Sequence, residues 1–255
     1  MEEFAEYILN EDDLISKMEI IYFLAPKLGI NFDKSIIFKT EIARIFLKYA
    51  KPKVDNNLVL TACLLCNCKK VDDAQKMGKI KTYAKEGAEH LAKLGFNKKF
   101  CKMCEEVNRY SGSKPREGES DILELIDQFG GMLIDRPERV GFSPDEALVL
   151  LEHRNLKSEY NRYLEIFREF VATMEKVEIH GAVNTTVFAR LQKLIRESKD
   201  IPEFVKKLAT DYSISVDQKL EEIEGTKNTV VKKDNRAMFT SESEQRILKH
   251  IKTEE

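Results

Sequence analysis

The stretch from Asn56 to Cys68 constrains the fold more than any other part of the chain. Leu58, Val59, Leu60, Ala62, Cys63, Leu64 and Leu65 make it apolar almost all round. A helix without a polar face must be covered on every side, so this one is expected at the centre of the molecule. The elements that could cover it also read as helices. Residues 11–28 open with acids and carry Leu14, Met18, Ile21 and Tyr22 at helical spacing, with Gly29 placed as a C-cap. Residues 34–50 present Ile37, Ile42, Ile45, Phe46 and Tyr49 on one broad face and end before Pro52. Residues 81–95, closed by Gly95, and residues 98–109 continue the pattern. SGSKPREGES (111–120) is the clearest loop, and Ser120 or Asp121 is expected to cap the helix after it. Ser143-Pro144-Asp145-Glu146 combines an N-cap serine, proline at the first helical position and a capping-box glutamate. Residues 158–177 carry Tyr160, Tyr163, Leu164, Phe167, Phe170, Val171 and Met174 along one stripe.

Composition narrows the classes further. Eleven glycines and six prolines in 255 residues are too few for an all-β fold with turns at short regular spacing. With 42% hydrophobic residues the chain can bury a core, which excludes global disorder. The net charge of −2 excludes a polybasic nucleic-acid binder. The longest apolar stretch, Leu58 to Cys66, has nine residues, against about 20 for a bilayer span, so no membrane association is expected. The start, MEEFAEYILNEDD, lacks the cationic and apolar regions of a secretory signal. Five cysteines do not make a disulfide framework, and a reducing cytoplasm is the expected location. The fold expected is all-α: a helical bundle over 1–177, a C-terminal helical extension over 178–224, a linker at 225–240 and a terminal helix at 241–255.

Four stretches, in order, carry a resemblance. ACLLCNCKK (62–70) sits where one family has a buried helix ending in Leu-His-Asp-x-Gly-Lys. YAKEGAEHLAKLGF (83–96) resembles its His-Pro-x-x-Gly-x-x-x-Leu helix, and EEVNRYSGSKP (105–115) the stretch from His-His-Glu to Gly-Tyr-Pro. ILELIDQFGGMLIDRPERVGFSPDEAL (122–148) parallels its Asp-x-Phe-Asp-Ala-Leu, Asp-Arg-Pro-x-Arg and Phe-Ser-Pro-x-Glu-Ala-Leu. Over about residues 35–155 the chain resembles an HD-GYP domain, a branch of the HD phosphohydrolase superfamily. The resemblance implies an HD-domain-like bundle in which imidazoles and carboxylates hold two or three metal ions. Those ions generate a hydroxide and clamp a phosphodiester.

It also implies where the ligands should stand, and most have changed. Cys66 and Asn67 stand at the paired His and Asp, Tyr83 at the next histidine, Glu105 and Glu106 at the adjacent histidines, and Gly130 at the second Asp of Asp-x-Phe-Asp. Asp127 alone keeps a metal-ligand identity. Lys70 keeps the lysine that in the family faces substrate phosphate, and Pro115 is what remains of Gly-Tyr-Pro. Gly87, Leu91, Asp135, Arg136, Pro137, Arg139, Ser143, Pro144 and Ala147 fit the family's structural pattern. The scaffold is kept and the metal set is not. The expected function is therefore a catalytically degenerate regulatory, scaffolding or ligand-binding module without a cofactor. The alternative is a metal-dependent phosphohydrolase of the cyclic-dinucleotide phosphodiesterase type, using iron, manganese, magnesium or zinc on substituted ligands.

Three residue clusters have a sharp and a plain reading. Cys63/Cys66 and Cys101/Cys104 are Cys-x-x-Cys pairs that could hold zinc. They also lie inside expected helices, where free cysteine packs as a small apolar residue. Glu105, Glu106 and Asp127 could form an all-oxygen metal site. The plain reading places both glutamates on a solvated face and gives Asp127 a buried ion pair with Lys70 or Arg136, because a buried carboxylate needs a partner. His90, His153, His180 and His250 lack companions at metal-binding spacing. Residues 67–102 hold ten lysines and four acids, a local excess of +6. Such a rim could attract a phosphorylated nucleotide or an acidic protein partner; the plain and favoured reading is solvated helix faces in a lysine-rich chain. The rim lacks the aromatic interleaving of a nucleic-acid platform. A protein partner or a second copy of the chain is the expected partner.

Overall fold

The computed structural model describes residues 2–70, 81–108, 116–137, 139–154, 161–179 and 185–226. The loop at 111–115 with Pro115, the linker beyond residue 226, and the terminal helix with His250 lie outside these residues, as do Tyr160 and His180.

The chain is an all-α bundle. Its helices are α1 (Glu2–Asn10), α2 (Leu14–Leu28), α3 (Lys34–Ala50), α4 (Asn56–Leu65), α5 (Tyr83–Lys93) and α6 (Lys98–Glu105). They are followed by α7 (Gly118–Leu133), α8 (Pro144–His153), α9 (Leu164–Met174), α10 (Val187–Glu197), α11 (Ile201–Lys207) and α12 (Ser213–Thr226). A π-helical turn, Leu208–Tyr212, joins α11 to α12. The boundary expected near 178–185 is a two-residue antiparallel pairing of β1 (Glu178–Ile179) with β2 (Thr185–Thr186). Among the described residues no helix is long and apolar enough to cross a membrane.

Local sequence explains most helix ends. Asp13, Asp33, Asp55 and Asn97 accept hydrogen bonds from the first free backbone N–H groups of α2, α3, α4 and α6. Gly29 closes α2 at φ 63°, a left-handed conformation that costs glycine little. Ser143 and Glu146 complete the capping box of α8. One start is corrected. Helix α7 begins at Gly118 and not after Ser120 or Asp121. Those two side chains are engaged elsewhere: Ser120 Oγ donates to Glu106 Oε2 at 2.6 Å, and Asp121 accepts from Arg116 and Arg162.

Helices α3 and α7 form the middle of the bundle, against α4, α8 and α9. Phe46, Phe129, Phe167, Phe170 and Phe188 meet edge to face with centroids 5.1–5.7 Å apart. Each such pair contributes about 0.5–1.5 kcal/mol beyond area burial. Phe188 belongs to α10, so the C-terminal extension shares this core. Helix α12 lies along α3, where Arg44 donates to Asp217 Oδ1 at 2.7 Å and Ser213 donates to Glu41.

Residues 135–147, the later part of the stretch 122–148, hold the end of α7 in place. Arg139 donates to the carbonyls of Gly131 and Met132, both at 3.0 Å, and so closes the C-terminus of α7. Asp135 accepts from Gly141 N at 2.7 Å and from Arg196 Nε at 2.8 Å, fixing the loop to α10. A Cβ on Gly141 would lie 2.1 Å from the Leu133 carbonyl oxygen, so only glycine fits there.

Candidate functional site

The site is built on Asp127, on the inner face of α7. Lys39 from α3 reaches it: Lys39 Nζ donates to Asp127 Oδ1 at 2.6 Å, and the two side chains are only 6% and 10% exposed. Asn67, just past α4, donates through Nδ2 to the same oxygen at 2.8 Å and to Cys66 Sγ at 3.3 Å. Lys70 closes the group, its Nζ 5.1 Å from the centre of the buried Tyr83 ring. Gly130, one turn along α7 from Asp127, makes the approach possible. A Cβ there would stand 2.6 Å from Lys39 Cγ. The missing side chain is the space through which the lysine stem passes.

Charge balance follows from this geometry. Burial works to raise the Asp127 pKa, but Lys39 and Lys70, with the hydrogen bonds from Lys39 and Asn67, outweigh it. The carboxylate is held well below its usual range. Burial likewise works against the Lys39 ammonium, and Asp127 outweighs it, so the Lys39 pKa is raised. Among the described residues Lys70 has no such direct partner. Burial pushes it down to about 8, with Lys39 and Arg136 repelling and Asp127 only partly restoring it. Asn67 Oδ1 is buried without a hydrogen-bond partner among the described residues.

The structure therefore gathers Cys66, Asn67, Lys70, Tyr83, Asp127 and Gly130 into one locus. It adds Lys39, which the sequence reading does not single out. The pattern held a signal, since Lys39 interrupts the apolar run of α3 on the side of Ile36, Ile42 and Phe46. A lysine there requires a buried anion. Two expectations are corrected. The direct partner of Asp127 is Lys39, not Lys70 or Arg136; Arg136 is exposed and donates to the Gly131 carbonyl. Glu105 is exposed, but Glu106 is not on a solvated face: it is 2% exposed and accepts from Ser120. Glu106 and Asp127 thus answer to different partners.

The five cysteines are all buried and none forms a disulfide. Burial pushes Cys63 up to about 12, raises Cys101, and raises Cys66 and Cys104 well above the ordinary thiol range. Zinc is bound by thiolates, so a metal at these positions would have to displace the thiol protons that burial favours. His90 Nε2 meets the Leu28 carbonyl at 2.8 Å, a satisfied structural histidine.

Whether these residues suit the metal set implied by the resemblance can be judged from the donors. The Asp127 carboxylate has an ammonium on one of its oxygens. Its neighbours are an amide nitrogen, a neutral thiol and a second lysine. No group of three or more His, Cys, Asp or Glu capable of holding a metal ion occurs among the described residues. The residues present do not fit a dinuclear metal centre.

Compared with known proteins, the chain matches no family model, no curated protein and no solved structure. The site therefore stands on its own geometry. Exposed Lys85, Lys93, Lys98, Lys99 and Lys102 on α5 and α6 carry much of the local positive excess in this half of the bundle.

Proposed function

We propose that this chain is a catalytically degenerate HD-GYP-like domain, working inside the cell as a regulatory or scaffolding module. The reading is carried by one observation, the Lys39–Asp127 pair at 2.6 Å. In a metal-dependent phosphohydrolase the carboxylate at this point holds a cation that activates water. Here a tethered ammonium supplies the cation. It neutralises Asp127, as a metal would, but it cannot polarise a phosphoryl oxygen and generate hydroxide together. The bundle keeps its charge balance and loses its chemistry.

Elemental analysis of protein purified without added metal tests this directly. Iron, manganese, magnesium and zinc are each expected far below one per chain after gel filtration. None should raise the melting temperature when added back. Stoichiometric iron, manganese or zinc retained by the wild type would overturn the proposal in favour of an active phosphohydrolase.

Lys70 favours a second role for the same locus, as a site that holds a phosphorylated nucleotide without hydrolysing it. Among the described residues its ammonium lacks a direct counter-charge, and the neighbouring Asn67 Oδ1 lacks a hydrogen-bond partner. Groups left in this state cost stability unless something binds them. Lys70→Met is therefore expected to stabilise the free protein by about 1 kcal/mol near neutral pH. The folded pKa, about 8, lies below the unfolded value, so wild-type stability recovers as pH rises from there towards the ordinary lysine range. The advantage of the variant should shrink over the same window. Urea denaturation across that window measures both effects. A loss of stability in Lys70→Met would make Lys70 a structural partner of Asp127 and remove the binding-site reading.

A further inference from the structure

A groove of about 820 Å³ opens between α2 and the α11–π-helix segment, away from Asp127. Its walls are mostly apolar, with Ile15, Tyr22 and Phe23 on one side and Ile201, Val205 and Ala209 on the other; Glu19 and Lys206 are the charged members. Phe23 is 81% exposed and Tyr22 43% exposed, beside side chains that are already partly buried. A contiguous apolar concavity of this kind marks an interaction surface. We propose that its occupant is the chain's own segment 241–252, docked as an amphipathic helix.

Length, pattern and charge support this occupant. Ser241 and Glu244 have capping-box spacing, and Ile247, Leu248 and Ile251 then fall on one helical face. Such a helix over 242–252 would be about 16 Å long, and the groove runs along positions 15–24 of α2, about 14 Å. A short helix with one apolar face needs a partner groove to be stable. Arg246, Lys249 and Lys252 border that face. The α2 wall includes Glu19 and begins beside Glu11, Asp12 and Asp13, which supply the opposite charge. Fourteen residues lie between Thr226 and Ser241, and extended they span up to about 50 Å. A compact domain of this size has a radius of gyration of about 17 Å, so the segment reaches any face.

Paired cysteines in the full-length chain test the docking. The native thiols are buried and held protonated, so introduced cysteines are the reactive ones. Phe23→Cys is combined in turn with single cysteines at positions 245–251, and each pair is oxidised under mild conditions. The expected result is an intramolecular disulfide, fastest at 247, 248 and 251. At those positions it should form about ten-fold faster than with a cysteine at exposed Glu169 on α9, because docking raises the local concentration. Ile247→Asp in the Phe23→Cys/Ile251→Cys background should remove most of that advantage. Disulfides that join two chains would overturn the proposal and assign the groove to a second copy. Equal rates at all positions, or rates no faster than at Glu169, would overturn it as well.

Discussion

Lys39→Met is expected to cost about 3–5 kcal/mol of folding stability, and Asp127→Leu a similar amount, while the double variant should recover most of the loss. Each single change leaves one charge in the middle of the bundle, 10% exposed or less, without the partner that makes its burial tolerable. Removing both replaces a charged pair with apolar volume of similar size, which is nearly neutral in such sites. A double-mutant cycle should therefore give a coupling energy of at least about 5 kcal/mol, the sum of the two single losses less the small loss of the double variant. Additive losses would mean that the two residues act through packing alone. Acid adds an independent check with a definite sign. Asp127 has a folded pKa below its unfolded value, so its contribution is complete above the ordinary carboxylate pKa and is lost as pH falls towards the depressed one. Wild-type stability should fall in that acidic window more steeply than that of the double variant. Gly130→Ala strikes the same arrangement from outside, since its new methyl group meets Lys39 Cγ. A loss of about 1–3 kcal/mol is expected from it.

The bundle was legible because its signals are local. Gly29, Ser143 and Pro144 each act within one turn of the chain, and the structure places each where its conformational preference requires. The apolar stripe over residues 56–65 needed covering, and α3, α6 and α7 cover it. The site was legible only in part, because its meaning is a relation between distant positions. Lys39 and Asp127 are 88 residues apart, and nothing local says which buried cation meets which buried anion. That Cys66, Asn67 and Gly130 stand where the resemblance would place metal ligands was visible in the residues. The close approach of Lys39 to Gly130 was not, since a glycine read along the chain does not show whose stem passes over it. The start of α7 failed for a related reason. Ser120 and Asp121 are good capping residues in isolation, and the demand of Glu106, Arg116 and Arg162 for buried partners outweighed that preference.

That same polar network carries the other large effect. Arg116→Met is expected to cost about 3–5 kcal/mol and to leave the chain partly unfolded at physiological temperature. The guanidinium has a side-chain exposure of 0%, as have both its carboxylate partners. It donates to Asp121 Oδ1 at 2.8 Å, to Glu124 Oε2, and to the Glu106 carbonyl at 3.2 Å. Three acceptors from α7 and the end of α6 thus converge on one planar donor group, and Gln128 adds a bond to Glu124 at 3.1 Å. Methionine fills much of the volume and supplies none of these bonds, so buried carboxylates lose the cation nearest to them. Arg116→Lys separates charge from geometry. It restores a cation but not a fork able to serve several oxygens at once, and about half of the loss should remain. Chemical denaturation of the three proteins measures this order. If the lysine variant matches the wild type, net charge alone holds this end of α7. If the methionine variant loses less than about 1 kcal/mol, the network does not hold it at all.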